Sequence, residues 1–239
     1  MKFLNVPISL SFVVAYCSMN YELLLAQTLA LVFGHSLVHF TLTIGLYLFF
    51  LGMGSLLFSR RKALARWEDF LGLELLLSSI GLALPLVIIA GDSLSRQLGQ
   101  WLGCDSSWLA GGYMYSWVAL IGLLSGGEIP LLVALASQEQ DERAGERVVA
   151  ADYGGSFAAA LLFPSLVFQG AGLFAGSALT ALVSLLAACS LMLCRPSPRR
   201  FWYAAFTGLL VLGCLVILVF EREIRDYGSE CYLSGCYLR

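Results

Sequence analysis

Seven apolar runs of about twenty residues or more divide most of this chain, and they constrain its fold more than any other feature. A run of about 20 apolar residues crosses the hydrocarbon core of a bilayer as an α-helix. Only helices and closed barrels satisfy every backbone polar group in lipid, and continuous rather than alternating runs favour helices. We therefore predict an all-α polytopic membrane bundle with seven transmembrane helices over residues 8–33, 37–58, 70–90, 109–137, 150–168, 173–193 and 201–220, followed by a short polar tail, 221–239.

The composition excludes two large classes of protein. Of the 239 residues, 59% are hydrophobic and 13% are charged, and that charged fraction is about half the value of a soluble domain. The net charge of -2 provides no basic surface for a nucleic acid. The partner that the sequence implies is the lipid bilayer, and the sequence leaves open whether the chain forms a homo-oligomer. We expect the first run to be retained, because it is too long for a cleaved signal peptide.

Lysine and arginine are distributed unequally between the two sets of predicted loops. If every run crosses the membrane, one side holds ten basic residues, which are Lys2 and those within 59–69, 138–149 and 194–200. The other side holds four, namely Arg96 and the three arginines of the tail. Since cytoplasmic loops carry the excess of basic residues, we predict a cytoplasmic N-terminus and an extracytoplasmic tail.

Four acidic side chains lie in apolar runs that contain no lysine or arginine. Glu22 and Glu128 are deep within spans one and four, whereas Glu74 and Asp152 are near the cytoplasmic ends of spans three and five. An acid at the centre of a bilayer is costly and is a functional-site hypothesis by default. Such a residue is protonated, faces a wet cavity or binds a cation. For Glu74 and Asp152 the favoured interpretation is an interfacial or helix-capping role.

Glycine and proline residues flank the acid of span four. Gly126 and Gly127 precede Glu128, and Pro130 follows it. Proline removes a backbone donor and clashes with the carbonyl four residues earlier, and glycine weakens a helix. One interpretation is a kink or interruption that lines a cavity. The other is a close helix crossing that requires glycine, and the sequence leaves both open.

Small residues also cluster in spans two and five, over residues 52–55 and 154–156. At these spacings they predict a close approach of neighbouring helices. Each cluster belongs to the second helix of a triplet whose first helix contains an acid, Glu22 or Glu128. The pattern suggests a 3+3 inverted repeat plus one helix, in which the acids meet near a pseudo-twofold axis.

The remaining chemistry-bearing residues give no metal or cofactor site. His35 and His39 form an i,i+4 pair without a third ligand nearby, so a hydrogen-bonded or solvated role is favoured. The seven cysteines show no zinc spacing. We expect no metal and no cofactor. Segment 91–108 is predicted to lie outside as a short interfacial helix, with Trp101 and Trp108 at the depth of the lipid headgroups.

Several motifs resemble one known family. They are Tyr21-Glu22-Leu23-Leu24, Gly127-Glu128-Ile129-Pro130-Leu131 and Ala151-Asp152-Tyr153-Gly154-Gly155. Together with their order along about residues 10–195, they resemble the N-terminal membrane domain of bacterial membrane-bound spermidine synthase-like proteins. The resemblance implies the bacterial inner (cytoplasmic) membrane as the location. In that family the helices are usually followed by a soluble aminopropyltransferase domain of Rossmann-like fold, which binds decarboxylated S-adenosylmethionine and putrescine.

The chain departs from that family after Phe220. The tail that follows has no glycine-rich turn and is shorter than the roughly 30 residues of one βαβ unit. We therefore expect no aminopropyl transfer and no catalytic residue. One interpretation is binding or transport of a cation such as a polyamine, with Glu22, Glu128, Tyr21, Asp152 and Tyr153 as the substrate-binding residues. The alternative is a non-catalytic scaffold or anchor subunit for a soluble aminopropyltransferase or a larger membrane complex.

The two mid-membrane acids are predicted to converge on one polar cavity. Both Glu22 and Glu128 are costly in lipid, so each should face protein or water. The backbone groups freed at Gly126, Gly127 and Pro130 need partners as well. One shared cavity between spans one and four satisfies all of these demands.

The topology is tested by labelling. A cysteine introduced at Arg61 or Arg199 should resist impermeant thiol reagents in intact cells, because both positions are predicted to be cytoplasmic. Labelling from outside would overturn the orientation.

The tail offers a second test of the topology. Cys231 and Cys236 would share an oxidising compartment if span seven crosses, and such a compartment permits a disulfide. Two reduced thiols are the alternative. Mass spectrometry of the tail distinguishes the two states, and two free thiols in protein isolated from the membrane would rule out the bond.

Overall fold

The computed structural model of the protein describes residues 5–34, 36–60, 65–103, 106–138, 143–165, 172–194 and 200–220. Within these ranges every regular element is a helix, which confirms the all-α prediction. The helices are α1 (Asn5–Phe33), α2 (Ser36–Ser59), α3 (Trp67–Leu102), α4 (Ser106–Ser125), α5 (Glu128–Ser137), α6 (Ala144–Leu162), α7 (Gly172–Cys194) and α8 (Arg200–Val219). They supply seven segments long and apolar enough to cross a membrane, with α4 and α5 forming one of the seven. His35, Cys231, Cys236 and the tail lie outside the described residues.

Four segments form the centre of the bundle. Helices α1, α3, α4–α5 and α7 bury more than half of their most apolar stretch, and α7 packs against both α1 and α3. Helices α2, α6 and α8 lie at the periphery and expose long apolar faces. Soluble proteins rarely expose contiguous apolar surface on this scale. The exposed faces therefore fit a multi-pass membrane protein, whose lipid would cover them.

Two hydrogen bonds identify one end of the bundle. Gln138 at the end of α5 donates to the carbonyl of Ala65 over 3.2 Å, and Ser11 of α1 donates to the carbonyl of Val148 in α6 over 2.8 Å. The first part of α1, the start of α3, the end of α5 and the start of α6 therefore lie together. The arginines of the described residues that lie at or beside these helix ends are Arg60, Arg66, Arg143 and Arg147.

Helix α3 is longer than predicted, and the prediction of a separate interfacial helix over 91–108 is wrong. The helix continues without interruption to Leu102 and ends where Gly103 adopts a φ of 65°. Its last turns have a buried face of small and polar residues, including Gly91 and Ser95. A Cβ at Gly91 would overlap the ring of Tyr113 in α4. These residues form a packing face against α4, and for that reason the helix stays joined to its span.

Helix α6 begins earlier than predicted, and its predicted end at residue 168 lies outside the described residues. It begins at Ala144, well before the predicted start at residue 150, and ends at Leu162. The exposed side chains of Glu146 and Arg147 are accommodated in the first turn, where an acid is favourable. At the other end, Phe163 keeps helical geometry with φ -54° and ψ -49°, and residues 163–165, which include the proline at position 164, continue as a π-helical turn. Asp152 is consequently about two turns inside the helix rather than at its start.

Glycine brings the helices together at two crossings, which confirms the expected close approach. A Cβ at Gly54 of α2 would overlap the carbonyl oxygen of Leu123 in α4. A Cβ at Gly155 of α6 would overlap the carbonyl oxygen of Phe12 in α1. Backbones approach this closely only where no side chain separates them. The two crossings fix the peripheral helices α2 and α6 onto the central ones.

Glycine substitutions in α2 test this packing. Gly54→Ala should lower the free energy of unfolding by about 1–3 kcal/mol, because the added methyl group forces the backbones apart. Gly52→Ala is the matched control, since nothing lies within 4 Å of a Cβ there, and it should be neutral or slightly stabilising. Thermal unfolding in detergent measures both. Equal stability of the two variants would contradict the close crossing.

Candidate functional site

The acid of span four stands at a two-residue interruption of its helix. Helix α4 ends at Ser125, Gly126 and Gly127 form a turn, and α5 begins at Glu128. The amide of Gly127 donates to the carbonyl of Leu124 over 2.9 Å, which is a tighter turn than that of an α-helix. Pro130 has no amide hydrogen to donate. Glu128 therefore lies in the first turn of a new helix.

The same glycines also make a close crossing with α2. A Cβ at Gly126 would overlap the carbonyl oxygen of Leu51, and one at Gly127 would lie 2.8 Å from the ring of Phe58. The interruption of the helix and the close crossing, one from each of the two interpretations that the sequence left open, therefore occur together. The crossing holds the turn against α2, while Glu128 itself is only 5% exposed and belongs to the interior of the bundle.

The partner of Glu128 is Glu74 of α3. The two carboxyl groups interact side chain to side chain, although Glu74 Oε2 makes no hydrogen bond of standard length and angle among the described residues. Glu74 is 2% exposed and lies about two turns inside α3, which begins at Trp67. The expectation that Glu74 is interfacial is therefore wrong. Glu68 and Asp69 belong to the first turn of α3, where acidic residues are favourable.

Ser184 contacts the other oxygen of the Glu74 carboxyl group, and Ser78 contacts Ser184. The hydroxyl of Ser184 in α7 lies 2.5 Å from Glu74 Oε1, and the hydroxyl of Ser78 lies 2.5 Å from that of Ser184. Ser78 is also 2.8 Å from the main-chain carbonyl oxygen of Glu74. All three residues are buried. This chain of contacts joins α3 to α7 at the level of the acid pair.

A tyrosine completes the cluster on the side of α1. The ring of Tyr21 lies against α3 at Gly81, where a Cβ would overlap it. Its hydroxyl is buried, interacts electrostatically with both Glu74 and Glu128, and has no hydrogen-bond partner among the described residues. Two buried oxygens, the Tyr21 hydroxyl and Glu74 Oε2, are thus unpaired beside the same carboxyl groups. We call Tyr21, Glu74, Ser78, Glu128 and Ser184 the acid cluster.

The structure brings some of the predicted site residues to this cluster and not others. Asp152 is half-buried on α6 and lies within electrostatic reach of Glu128. The side chain of Tyr153 is 72% exposed on the outer face of α6 and is not brought to the cluster. Asp152 does not cap a helix start as expected, because α6 begins earlier than predicted, at Ala144.

Glu22 lies beside the cluster rather than within the acid pair. It is 4% exposed and follows Tyr21 in α1. The hydroxyl of Tyr47, which lies 2.7 Å from that of Ser18, interacts electrostatically with both Glu22 and Glu128. Glu22 and Glu128 therefore flank one buried tyrosine, and the partner that Glu128 contacts is Glu74.

Sequence reasoning missed the serines and the depth of Glu74. A signal was present in α3, because Glu74, Ser78 and Gly81 share one helical face at spacings of four and three residues. Helix α7 has a similar signal, a buried polar stripe of Ser177, Thr180 and Ser184. Neither stripe indicates by itself which helices face each other.

The histidine of α2 has a local structural role. His39 Nδ1 lies 2.7 Å from the hydroxyl of Tyr115, and the ring stacks on Phe33 with centroids 4.5 Å apart. This confirms the expectation of a hydrogen-bonded histidine.

The electrostatics of the acid cluster favour a positively charged ligand. Two facing carboxylates in a low-dielectric interior need a proton or a cation between them. Within the described ranges, the arginines lie at or near helix ends, and none of the helices has a lysine or arginine at the level of the pair. The arrangement can therefore hold protons or bind an ammonium group.

A serine substitution tests the architecture of the cluster. Ser184→Ala should lower the free energy of unfolding by about 1–3 kcal/mol, because it leaves a buried oxygen of Glu74 without its partner. Ser190→Ala in the same helix is the control, since Ser190 donates to the carbonyl of Ala187 in its own helix, one turn away. Chemical or thermal unfolding in detergent checks both variants. If Ser184→Ala is as stable as Ser190→Ala, the contact with Glu74 is not formed.

Comparison with known proteins finds homologues named polyamine aminopropyltransferase. Polyamine aminopropyltransferase 2 of Ralstonia nicotianae is 33% identical over 168 residues, which cover 68% of this chain and 30% of the relative. The protein of the same name from Streptomyces coelicolor is 29% identical over 92% of this chain and 41% of its own length. Polyamine aminopropyltransferase of Mycobacterium tuberculosis is 30% identical over 90% of this chain and 42% of its own length.

The similarity is partial with respect to the relatives. The chain spans between 30% and 42% of their length. No family model matches the chain, and no solved structure matches it with significance. The resemblance to spermidine synthase-like proteins is thus supported by homology.

Proposed function

We propose that this chain is a membrane domain that binds a polyamine, or a similar organic cation, at the acid cluster and provides a path for it through the bundle. The observation that carries the proposal is the buried pair of Glu74 and Glu128, which faces no basic side chain in the described residues. A cation compensates two carboxylates that would otherwise repel each other. The homologues named for polyamine chemistry support an ammonium as that cation.

The polar atoms of the cluster match an alkylammonium group. Such a group has up to three N–H donors and no acceptor. Glu74 Oε2 and the Tyr21 hydroxyl are buried acceptors that find no partner within the described ranges, and Glu128 supplies a third acceptor. Asp152 and Glu22, on either side, provide further negative charge for the remaining amines of a polyamine. Tyr153 is left out of this proposal because it points outward.

The proposal includes a place and an orientation for the bundle. We place it in the bacterial inner membrane with the arginine-rich helix ends in the cytoplasm, in line with the positive-inside rule. The two glycine crossings, α2 on α4 and α6 on α1, are in the positions that a 3+3 inverted repeat would relate. Discontinuous transmembrane helices are typical of transporter binding sites.

A membrane anchor is the second candidate function. It is supported by the relatives, which extend well beyond the region they share with this chain. In this proposal the bundle holds an aminopropyltransferase unit, in the same or a separate chain, at the membrane surface. If the unit is a separate chain, an aminopropyltransferase activity should co-purify with the detergent-solubilised protein. A high-salt wash should remove that activity by releasing the unit from the cytoplasmic loops.

Ligand-dependent stability tests the first candidate. Spermidine at about 100 times its dissociation constant should raise the free energy of unfolding of the wild-type protein in detergent by about 2.7 kcal/mol. Glu128→Gln should abolish this stabilisation while leaving the unliganded protein folded, since glutamine keeps the shape and hydrogen-bonding capacity of the acid.

Glu146→Gln is the matched control for this experiment. Glu146 is an exposed acid in the first turn of α6, and its loss should leave the spermidine effect intact. Equal ionic strength of a sodium salt corrects for screening. An unchanged spermidine effect in Glu128→Gln, or none in the wild type, would contradict the proposed binding site.

A further inference from the structure

The contacts around Glu74 require more hydrogens than the two serines possess. Three oxygen pairs are in hydrogen-bond contact: Ser78 Oγ with the main-chain oxygen of Glu74 at 2.8 Å, Ser78 Oγ with Ser184 Oγ at 2.5 Å, and Ser184 Oγ with Glu74 Oε1 at 2.5 Å. Each pair needs one hydrogen between its oxygens. A serine hydroxyl has one hydrogen, so Ser78 and Ser184 supply two of the three.

One arrangement of hydrogens satisfies all three contacts. The main-chain carbonyl accepts only, so Ser78 donates to it. Ser184 then donates to Ser78, and the third hydrogen is an O–H on Glu74 Oε1 that donates to Ser184. An ionised Glu74 would leave one buried pair of oxygens facing each other without a hydrogen, and an unsatisfied contact of this kind is costly in a low-dielectric interior.

In the part of the chain that the structure describes, the groups around the acid pair offer no other compensating charge. The titratable side chains that interact with Glu74 or Glu128, or with the tyrosines beside them, come from four further helices. They are Cys17, Tyr21 and Glu22 of α1, Tyr47 of α2, Asp152 of α6 and Cys214 of α8, in addition to the pair itself on α3 and α5. None of them is a cation. A proton on Glu74 therefore reduces the repulsion that Glu74 and Glu128 would otherwise exert on each other.

We propose that Glu74 holds a proton in this closed arrangement and releases it when an ammonium group binds between Glu74 and Glu128, so that the bundle exchanges a proton for a cation. This inference rests on the proposed function. The O–H bond of the Glu74 carboxyl group breaks, and its electron pair stays on the carboxylate. The proton leaves to solvent, and the ammonium forms an ion pair without a new covalent bond. One positive charge replaces another, and the net charge of the cluster stays constant.

Infrared spectroscopy tests the proton on Glu74 without any ligand. The difference between the wild type and Glu74→Gln should contain the carbonyl stretching band of a protonated carboxylic acid, lost in the variant. The band should shift in Ser184→Ala, because the acid loses the acceptor of its hydrogen bond. The exposed acid Glu146 is the control, and Glu146→Gln should remove carboxylate bands only. A difference spectrum for Glu74→Gln with carboxylate bands alone would overturn the assignment.

The pH dependence of spermidine binding tests the exchange. Between about pH 5 and pH 7 the amines of spermidine remain protonated. The wild-type affinity should rise about tenfold per pH unit wherever Glu74 carries its proton, because one proton leaves for each cation bound. In Glu74→Gln the residual affinity should be weaker and should no longer depend on pH in this way.

The outcomes separate the exchange from the proposed function. Spermidine binding with no pH dependence in the wild type would overturn the exchange and leave the binding site standing. Absence of spermidine binding at every pH would overturn the proposed function and the exchange together. In that case the infrared difference still determines whether Glu74 holds a proton.

Discussion

The structure depends on two carboxyl groups that meet in the interior of an apolar bundle. Glu74 and Glu128 are almost completely buried, and the desolvation of a charge is among the largest costs a fold can incur. A buried acid persists only where hydrogen bonds, a proton or a cation offset that cost. The hydroxyl of Ser184 contacts one oxygen of the Glu74 carboxyl group and is itself in contact with the hydroxyl of Ser78. The other oxygen of Glu74 and the hydroxyl of Tyr21 have no hydrogen-bond partner among the described residues.

The backbone is built around this pair. The turn at Gly126 and Gly127 ends α4 and places Glu128 at the start of α5, and the same glycines allow α2 to cross without intervening side chains. Gly81 makes room for the ring of Tyr21 against α3 in the same way. Glycine thus serves two purposes in this bundle. It brings helices together in the absence of large interlocking side chains, and it opens space for the polar groups of the cluster.

Much of the fold could be predicted from the sequence, because the length of an apolar run and the dimensions of a bilayer are local constraints. The seven apolar spans could be predicted for that reason. The close approach at Gly54 and Gly155 could be predicted from the clusters of small residues in spans two and five. The identity of the acid pair was not, because it depends on how α3, α5 and α7 are rotated about their axes. Ser184 is 110 residues from Glu74 in sequence. The apolar run that defined span three also excluded Glu68 and Asp69, so Glu74 was placed too close to the interface.

The most direct test of a shared site is a double-mutant cycle on spermidine binding with Glu74→Gln, Glu128→Gln and the double variant. Residues that act in one network give coupled rather than additive effects, with interaction energies of about 0.5–3 kcal/mol. If Glu74 and Glu128 hold one cation together, either substitution should remove most of the affinity, and the double variant should bind no more weakly than the worse single one. Losses of affinity that simply add, or wild-type affinity in Glu74→Gln, would contradict a binding site built on the pair.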